Sequence, residues 1–141
     1  MEASVFALAV MISLASGCSG QGSRPGSLQV SDISETALDT SASSQEGATA
    51  ACEGWALTRV QAEEFFSLSE SIDQREFHHE YDTAPCKITG SVDAEGRPWR
   101  FTINGAAKAI WEDGDEVRYF GCSAPACRPL VLWEYTGTDI E

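Results

Sequence analysis

Between Ala62 and Ile72 the apolar residues Ala62, Phe65, Phe66, Leu68 and Ile72 fall at helical spacings, with Glu63, Glu64 and Glu70 on the other side. That is the pattern of a helix with one buried face, and Thr58-Arg59-Val60-Gln61 ahead of it carries the residues of a capping box. The spacing predicts a helix from about Arg59 to Asp73. Beyond it the period changes to two. Ile88, Gly90 and Val92 alternate with polar neighbours, Ala94-Glu95-Gly96 turns the chain, and Trp99, Phe101 and Ile103 alternate with Arg100 and Thr102. A hairpin is expected there. Ala107 to Trp111 predicts a further strand, and Val117 to Gly121 returns across the turn signal Asp113-Gly114. Leu130 to Tyr135 is a last, mostly apolar run. The expected fold is α+β, with one N-terminal helix packed on an antiparallel meander of five or six short strands.

The pattern ahead of Cys52 is different. All four Trp, all three Tyr and five of the six Phe lie after it, so the core must lie there too. Residues 19–51 are rich in Ser, Gly, Thr, Ala and Gln and contain no aromatic residue. Such a segment buries too little apolar surface to offset its ordering entropy, and a disordered tether with a reach of roughly 30 Å is expected. Leu28-Gln29-Val30-Ser31-Asp32-Ile33 alternates like a strand, but without flanking aromatic partners it is assigned to the tether.

From Ala3 to Ala15 the chain is almost wholly apolar or small. The run is shorter than the about 20 residues of a membrane-spanning helix and suits a signal-peptide core. It closes on Leu14-Ala15-Ser16-Gly17-Cys18, which resembles the lipobox of bacterial lipoproteins. The resemblance implies cleavage before Cys18 and a diacylglyceryl thioether on its thiol, with small residues ahead of the cut so that the backbone fits the peptidase. Ala15 stands where that pattern prefers Leu, Val or Ile, and no Lys or Arg precedes Cys18. A start codon upstream of Met1 would supply the basic residues. The implied organisation is a signal peptide over 1–17, a lipidated Cys18 with its tether over 18–51, and a disulfide-bonded domain over 52–141. The expected location is the outer membrane facing the periplasm, or the periplasm itself.

The length of 141 residues suits one such domain. With 9 basic and 22 acidic residues the formal charge is -13, and the 17 acidic and 8 basic residues after position 51 leave -9 in the domain. A surface of that sign argues against a nucleic-acid partner. The segments Tyr81-Asp82-Thr83-Ala84-Pro85-Cys86, Trp99-Arg100-Phe101-Thr102-Ile103-Asn104-Gly105 and Gly121-Cys122 through Cys127-Arg128-Pro129-Leu130-Val131-Leu132 resemble small, uncharacterised secreted proteins of Gram-negative bacteria. That resemblance implies the domain boundary and no activity.

Apart from Cys18, four cysteines remain, an even number that suggests two disulfides in any of three connectivities. The expected pairing is Cys52–Cys86, tying the start of the helix to the first strand, and Cys122–Cys127 across a tight corner. The rival reading is a metal site in which Cys122 and Cys127 are joined by His78 or His79, although an oxidising compartment disfavours thiolate ligation. The adjacent histidines would point to opposite faces of a strand and serve one site poorly.

Catalytic motifs are lacking: the sequence has no nucleophile elbow and no phosphate-cradling glycine loop, and its carboxylate pairs sit on turns. Neither cofactor nor metal is expected, and the chain is read as no enzyme. By elimination the function is binding, of an inhibitor or immunity kind, similar in organisation to periplasmic lysozyme inhibitors. A structural or accessory envelope lipoprotein is the alternative, and a small hydrolase a third. The expected contacts are the membrane, through Cys18, and a cationic protein partner. The binding residues singled out are Trp111, Glu112, Asp113, Asp115 and Glu116, an aromatic anchor beside four acids. The alternative there is a solvated hairpin tip with a core tryptophan behind it.

Overall fold

The computed structural model describes residues 27–40 and 47–137. The leader, Cys18 and the first part of the expected tether lie outside the described residues, and no described helix is long and apolar enough to cross a membrane. A seven-stranded sheet organises the fold. Its strands are β1 (Gln29–Ile33), β2 (Ala37–Leu38), β3 (Glu70–Ile72), β4 (Cys86–Ala94), β5 (Arg97–Asn104), β6 (Lys108–Asp113) and β7 (Glu116–Gly121). All pairings are antiparallel, in the order β1-β4-β5-β6-β7-β3, with β2 also paired to β4. The helices are α1 (Ala48–Cys52), α2 (Arg59–Leu68) and α3 (Gln74–His79), followed by a 3-10 turn over Pro125–Leu130.

The helix α2 begins where its capping box places it. Thr58 Oγ1 accepts from the Gln61 N–H at 3.1 Å, and the Gln61 side chain accepts from the Thr58 N–H at 2.9 Å. It ends at Leu68 and not at the expected Asp73. The Ser69 N–H and hydroxyl both donate to the Phe65 carbonyl, closing the last turn, and Glu70–Ile72 then pairs with Tyr119–Gly121 of β7. Ile72 thus obeys a strand's period and not the helix's.

Two further expectations are corrected. The run 28–33, assigned to the tether, forms β1 and pairs with Gly90–Asp93. One inward residue suffices for this: Val30 is only 3% exposed, and its N–H donates to Glu63 Oε1 of α2 at 2.9 Å. The aromatic partners come from other strands, so a segment poor in aromatics still completes the sheet. The last apolar run, 130–135, is no strand. Pro125 and Pro129 remove two ladder donors ahead of it, and the N–H groups of Leu132 and Trp133 both donate to the Gly105 carbonyl at 2.9 Å.

Alternation along the strands gives the sheet two unlike faces. On one, Ile88, Ile103, Ala109 and Phe120 stand in register, next to Phe101 and Trp111, with Val92 and Trp99 beyond. The helix α2 closes this face, Phe66 packing edge-on against Phe101 and Trp111 at ring distances of 5.2 and 5.3 Å. Gly90 marks the tightest approach: a Cβ there would meet the Asp32 carbonyl oxygen and, at 2.6 Å, the Phe101 ring. Both disulfides form as paired from the sequence, with Cα–Cα distances of 5.6 Å for Cys52–Cys86 and 5.8 Å for Cys122–Cys127.

Candidate functional site

The opposite face carries Lys87, Asn104 and Lys108 in one register, Thr89, Thr102, Ile110 and Tyr119 in the next, and Ser91, Arg100, Glu112 and Val117 in a third. At the β7 end α3 lies over it, with Phe77 5.1 Å from the Tyr119 ring. Across β4, β5 and β6 it holds a cleft of about 910 Å³. The floor is Lys87, Thr102, Lys108 and Ile110. The walls come from four other places: Asp39 after β2, Phe77 and His78 of α3, Asp82 and Thr83 before β4, and Trp133 after the 3-10 turn.

Asn104 fixes those walls. Its Oδ1 accepts from the N–H groups of Ala84 and Ala106 at 2.8 and 3.0 Å, and its Nδ2 donates to the Ala84 carbonyl and to Asp39 Oδ2 at 2.9 and 3.2 Å. A buried amide with four partners is fully used, so Asn104 acts as a bracket. Lys108 is the unusual residue. It is 3% exposed, and Nζ donates to the Phe77 carbonyl at 3.2 Å and to Thr83 Oγ1 at 2.7 Å, 4.4 Å from the Phe77 ring centre. Burial lowers its pKa, against the opposing pull of Asp39 and Asp82. An ammonium has three donors, and these contacts use two of them.

The acidic tip singled out by sequence is arranged differently from an interface. Trp111 is 5% exposed and packs against Phe66, Trp99 and Phe120, so it does not project as an anchor. Its indole N–H has no nitrogen or oxygen partner among the described residues, and aromatic rings surround it. Asp113 and Glu116 both pair with Arg97, the first at 3.1 Å, while Glu116 also meets Arg118 at 3.2 Å. Hydrogen bonding from Arg97, with help from Arg118, holds the Glu116 carboxyl below its ordinary range. Both guanidinium groups lie over the Trp99 ring, at 4.0 and 4.6 Å. Two of the four acids therefore serve to lid the core, and Glu112 and Asp115 remain exposed without an ion pair among the described residues.

The zinc reading fails on the thiols, since Cys122 and Cys127 are joined to each other. His78 and His79 close a helix, not a strand, and His78 lines the cleft. Among the described residues no group of three or more His, Cys, Asp or Glu is placed to hold a metal ion.

Sequence reasoning passed over Lys108, although a signal was present. It is the one charge in Gly105-Ala106-Ala107-Lys108-Ala109-Ile110-Trp111, and alternation puts it opposite Ala109 and Trp111. The chain matches no family model, no curated protein and no solved structure.

Proposed function

We propose that the chain is an exported lipoprotein, anchored through Cys18 and facing the periplasm from the outer membrane. In this reading its domain is a non-enzymatic binding module that works through the cleft on the open face of the sheet. The observation that carries the site is the unequal treatment of the two faces: α2 covers one, while the other keeps a buried lysine and an open cleft. The buried polar groups favour binding over chemistry, because Asn104 and Lys108 hold backbone groups and a hydroxyl in place. Two disulfides in so short a domain fit an oxidising compartment and therefore export. A cationic protein at the hairpin tip is the second reading, favoured by Glu112 and Asp115, which have no ion pair among the described residues, on a domain of net -9.

A photo-crosslinking residue placed at Thr102 or at Asp115 in the full chain, irradiated in cells, separates the two. Adducts at 102 alone support the cleft, and adducts at 115 alone move the function to the tip. Their absence at both positions overturns the binding reading. The anchor is tested by fractionation: Cys18→Ser shifts the protein from membrane to soluble fraction or stalls its processing, since several acyl chains bind far more firmly than one. Wild-type protein that is wholly soluble, with Cys18 unmodified, removes the anchor.

A further inference from the structure

We infer that the cleft takes a neutral, hydroxyl-rich ligand, a short glycan, a proposal that rests on the cleft being the binding site. The charge of the lining carries it. The protein as a whole has a formal net charge of -13, yet the cleft opposes Lys87 and Lys108 to Asp39 and Asp82 and, with His78 counted neutral on the same convention, balances to zero. An anionic ligand would be met by the two carboxylates, and a cationic one by the two ammonium groups. A ligand that suits both must donate and accept at many points while carrying no charge. Sugar hydroxyls do this, each offering one donor and two lone pairs. Asp82 accepts, Lys87 and the third N–H of Lys108 donate, and the Thr102 hydroxyl does either.

The second observation is aromatic. Trp133 lines the same cleft and is 40% exposed, far more than Trp55, Trp99 or Trp111. An indole left in solvent beside polar groups offers the flat apolar surface on which the C–H face of a sugar ring can lie. The Trp133 backbone is held by the Gly105 carbonyl and the Lys108 ammonium by Phe77 and Thr83, so the lysine and the chain that carries the indole are in place before a ligand arrives. A cleft of about 910 Å³ exceeds what a single sugar unit fills and suits an oligosaccharide.

The test uses the lipidated full-length protein in detergent micelles, titrated with three trisaccharides that differ in charge: chitotriose, its de-acetylated cationic counterpart and anionic trigalacturonate. Saturation-transfer NMR and calorimetry report binding. Chitotriose is expected to bind more tightly than either charged trimer, with transfer strongest to ring C–H protons. Trp133→Ala, at an exposed position that leaves the core alone, is expected to weaken it about tenfold. Lys87→Gln tests the donor side at an equally safe position and is expected to weaken it about threefold. Preference for either charged trimer overturns the proposal, as does chitotriose binding that ignores Trp133→Ala. If no trimer binds while crosslinking at 102 still yields adducts, the ligand class falls and the cleft stands. If both fail, the site falls with it.

Discussion

Neighbouring residues of a single strand live in different environments in this molecule. Phe101 is buried under α2 with Phe66 and Trp111, while Thr102 looks into the cleft beside Lys87 and Lys108. Under α2 the closed face is aliphatic and aromatic, Arg97 and Arg118 lie over Trp99 at its edge, and the half-cystines Cys86 and Cys122 are buried on that side. The open face carries hydroxyls and charges on the same hydrogen-bonded ladder. Stability is therefore concentrated on one side of the sheet, which leaves the other free to vary in chemistry without loss of the fold.

The most direct way to break that division is to change the two neighbours separately. Phe101→Ala is expected to cost about 3–5 kcal/mol, by transfer and cavity terms together. Thr102→Val, which keeps the β-branch and loses a hydroxyl without a hydrogen-bond partner among the described residues, should stay within about 0.5 kcal/mol. Urea unfolding of both variants decides it, and equal losses would dissolve the distinction. Next in size come the disulfides. The Cys52–Cys86 bridge spans 34 positions and Cys122–Cys127 only five. Loop entropy then gives about 3–4 kcal/mol for the first and about 2 for the second. Replacing Cys52 and Cys86 together by Ser should lower the melting temperature further than replacing Cys122 and Cys127, with the order reversed only if native strain outweighs chain entropy. Gly90→Ala follows, at about 1–3 kcal/mol, because its methyl must displace either the β1 backbone or the Phe101 ring. A wild-type melting curve for this variant would mean that β1 does not press on β4.

The closed face was largely legible in the sequence because its signals are local. The Thr58–Gln61 box opens a helix on its own terms, and Trp99, Phe101 and Ile103 announce a strand in five residues. The even cysteine count and the corner between Cys122 and Cys127 were enough to pair all four. Where partners are distant the reading failed. Val30 belongs to the core because of Glu63 and Val92, neither of which marks its own neighbourhood as a strand. Ile72 satisfies a helical spacing and a strand pairing equally well, and only Tyr119 across the sheet decides between them. The cleft is the extreme case. Asp39, Thr83, Lys108 and Trp133 come from four separate segments, while Glu112, Asp113, Asp115 and Glu116 are adjacent and draw attention by density alone. Density in sequence showed a turn, and half of its acids are paired with Arg97 and Arg118 at the surface.

At the hairpin tip the expected effect is kinetic and smaller. Glu112→Lys with Asp115→Lys changes charge without touching the pairs to Arg97 and Arg118. A cationic partner at the tip should therefore associate several-fold more slowly with the variant, and with a flatter salt dependence. Association kinetics measured against the protein that crosslinks at 115 check this, and an unchanged salt slope would leave the tip as solvated surface.

The smallest expected change concerns Lys108, and its sign is the informative part. Burial lowers the pKa of this lysine in the folded protein, whereas the unfolded chain titrates near the ordinary value of about 10.4. Below the folded pKa both states hold the proton, and the charged amine is a net cost to the fold. Between the folded pKa and about 10.4 the unfolded state binds more protons, so stability rises with pH across that alkaline window. Lys108→Met removes the cost together with two hydrogen bonds, leaving Thr83 able to turn its hydroxyl elsewhere. The variant should be as stable as wild type at neutral pH or slightly more so, and should lose the alkaline rise. Chemical denaturation at pH 7, 9 and 10 measures both. Stability retained with chitotriose binding reduced would place the cost of burying Lys108 on the side of recognition, in keeping with an open face maintained for its ligand. A clear loss of stability at pH 7 would instead make Lys108 part of the frame, as Asn104 is, and the chemical division between the two faces would end one register short of it.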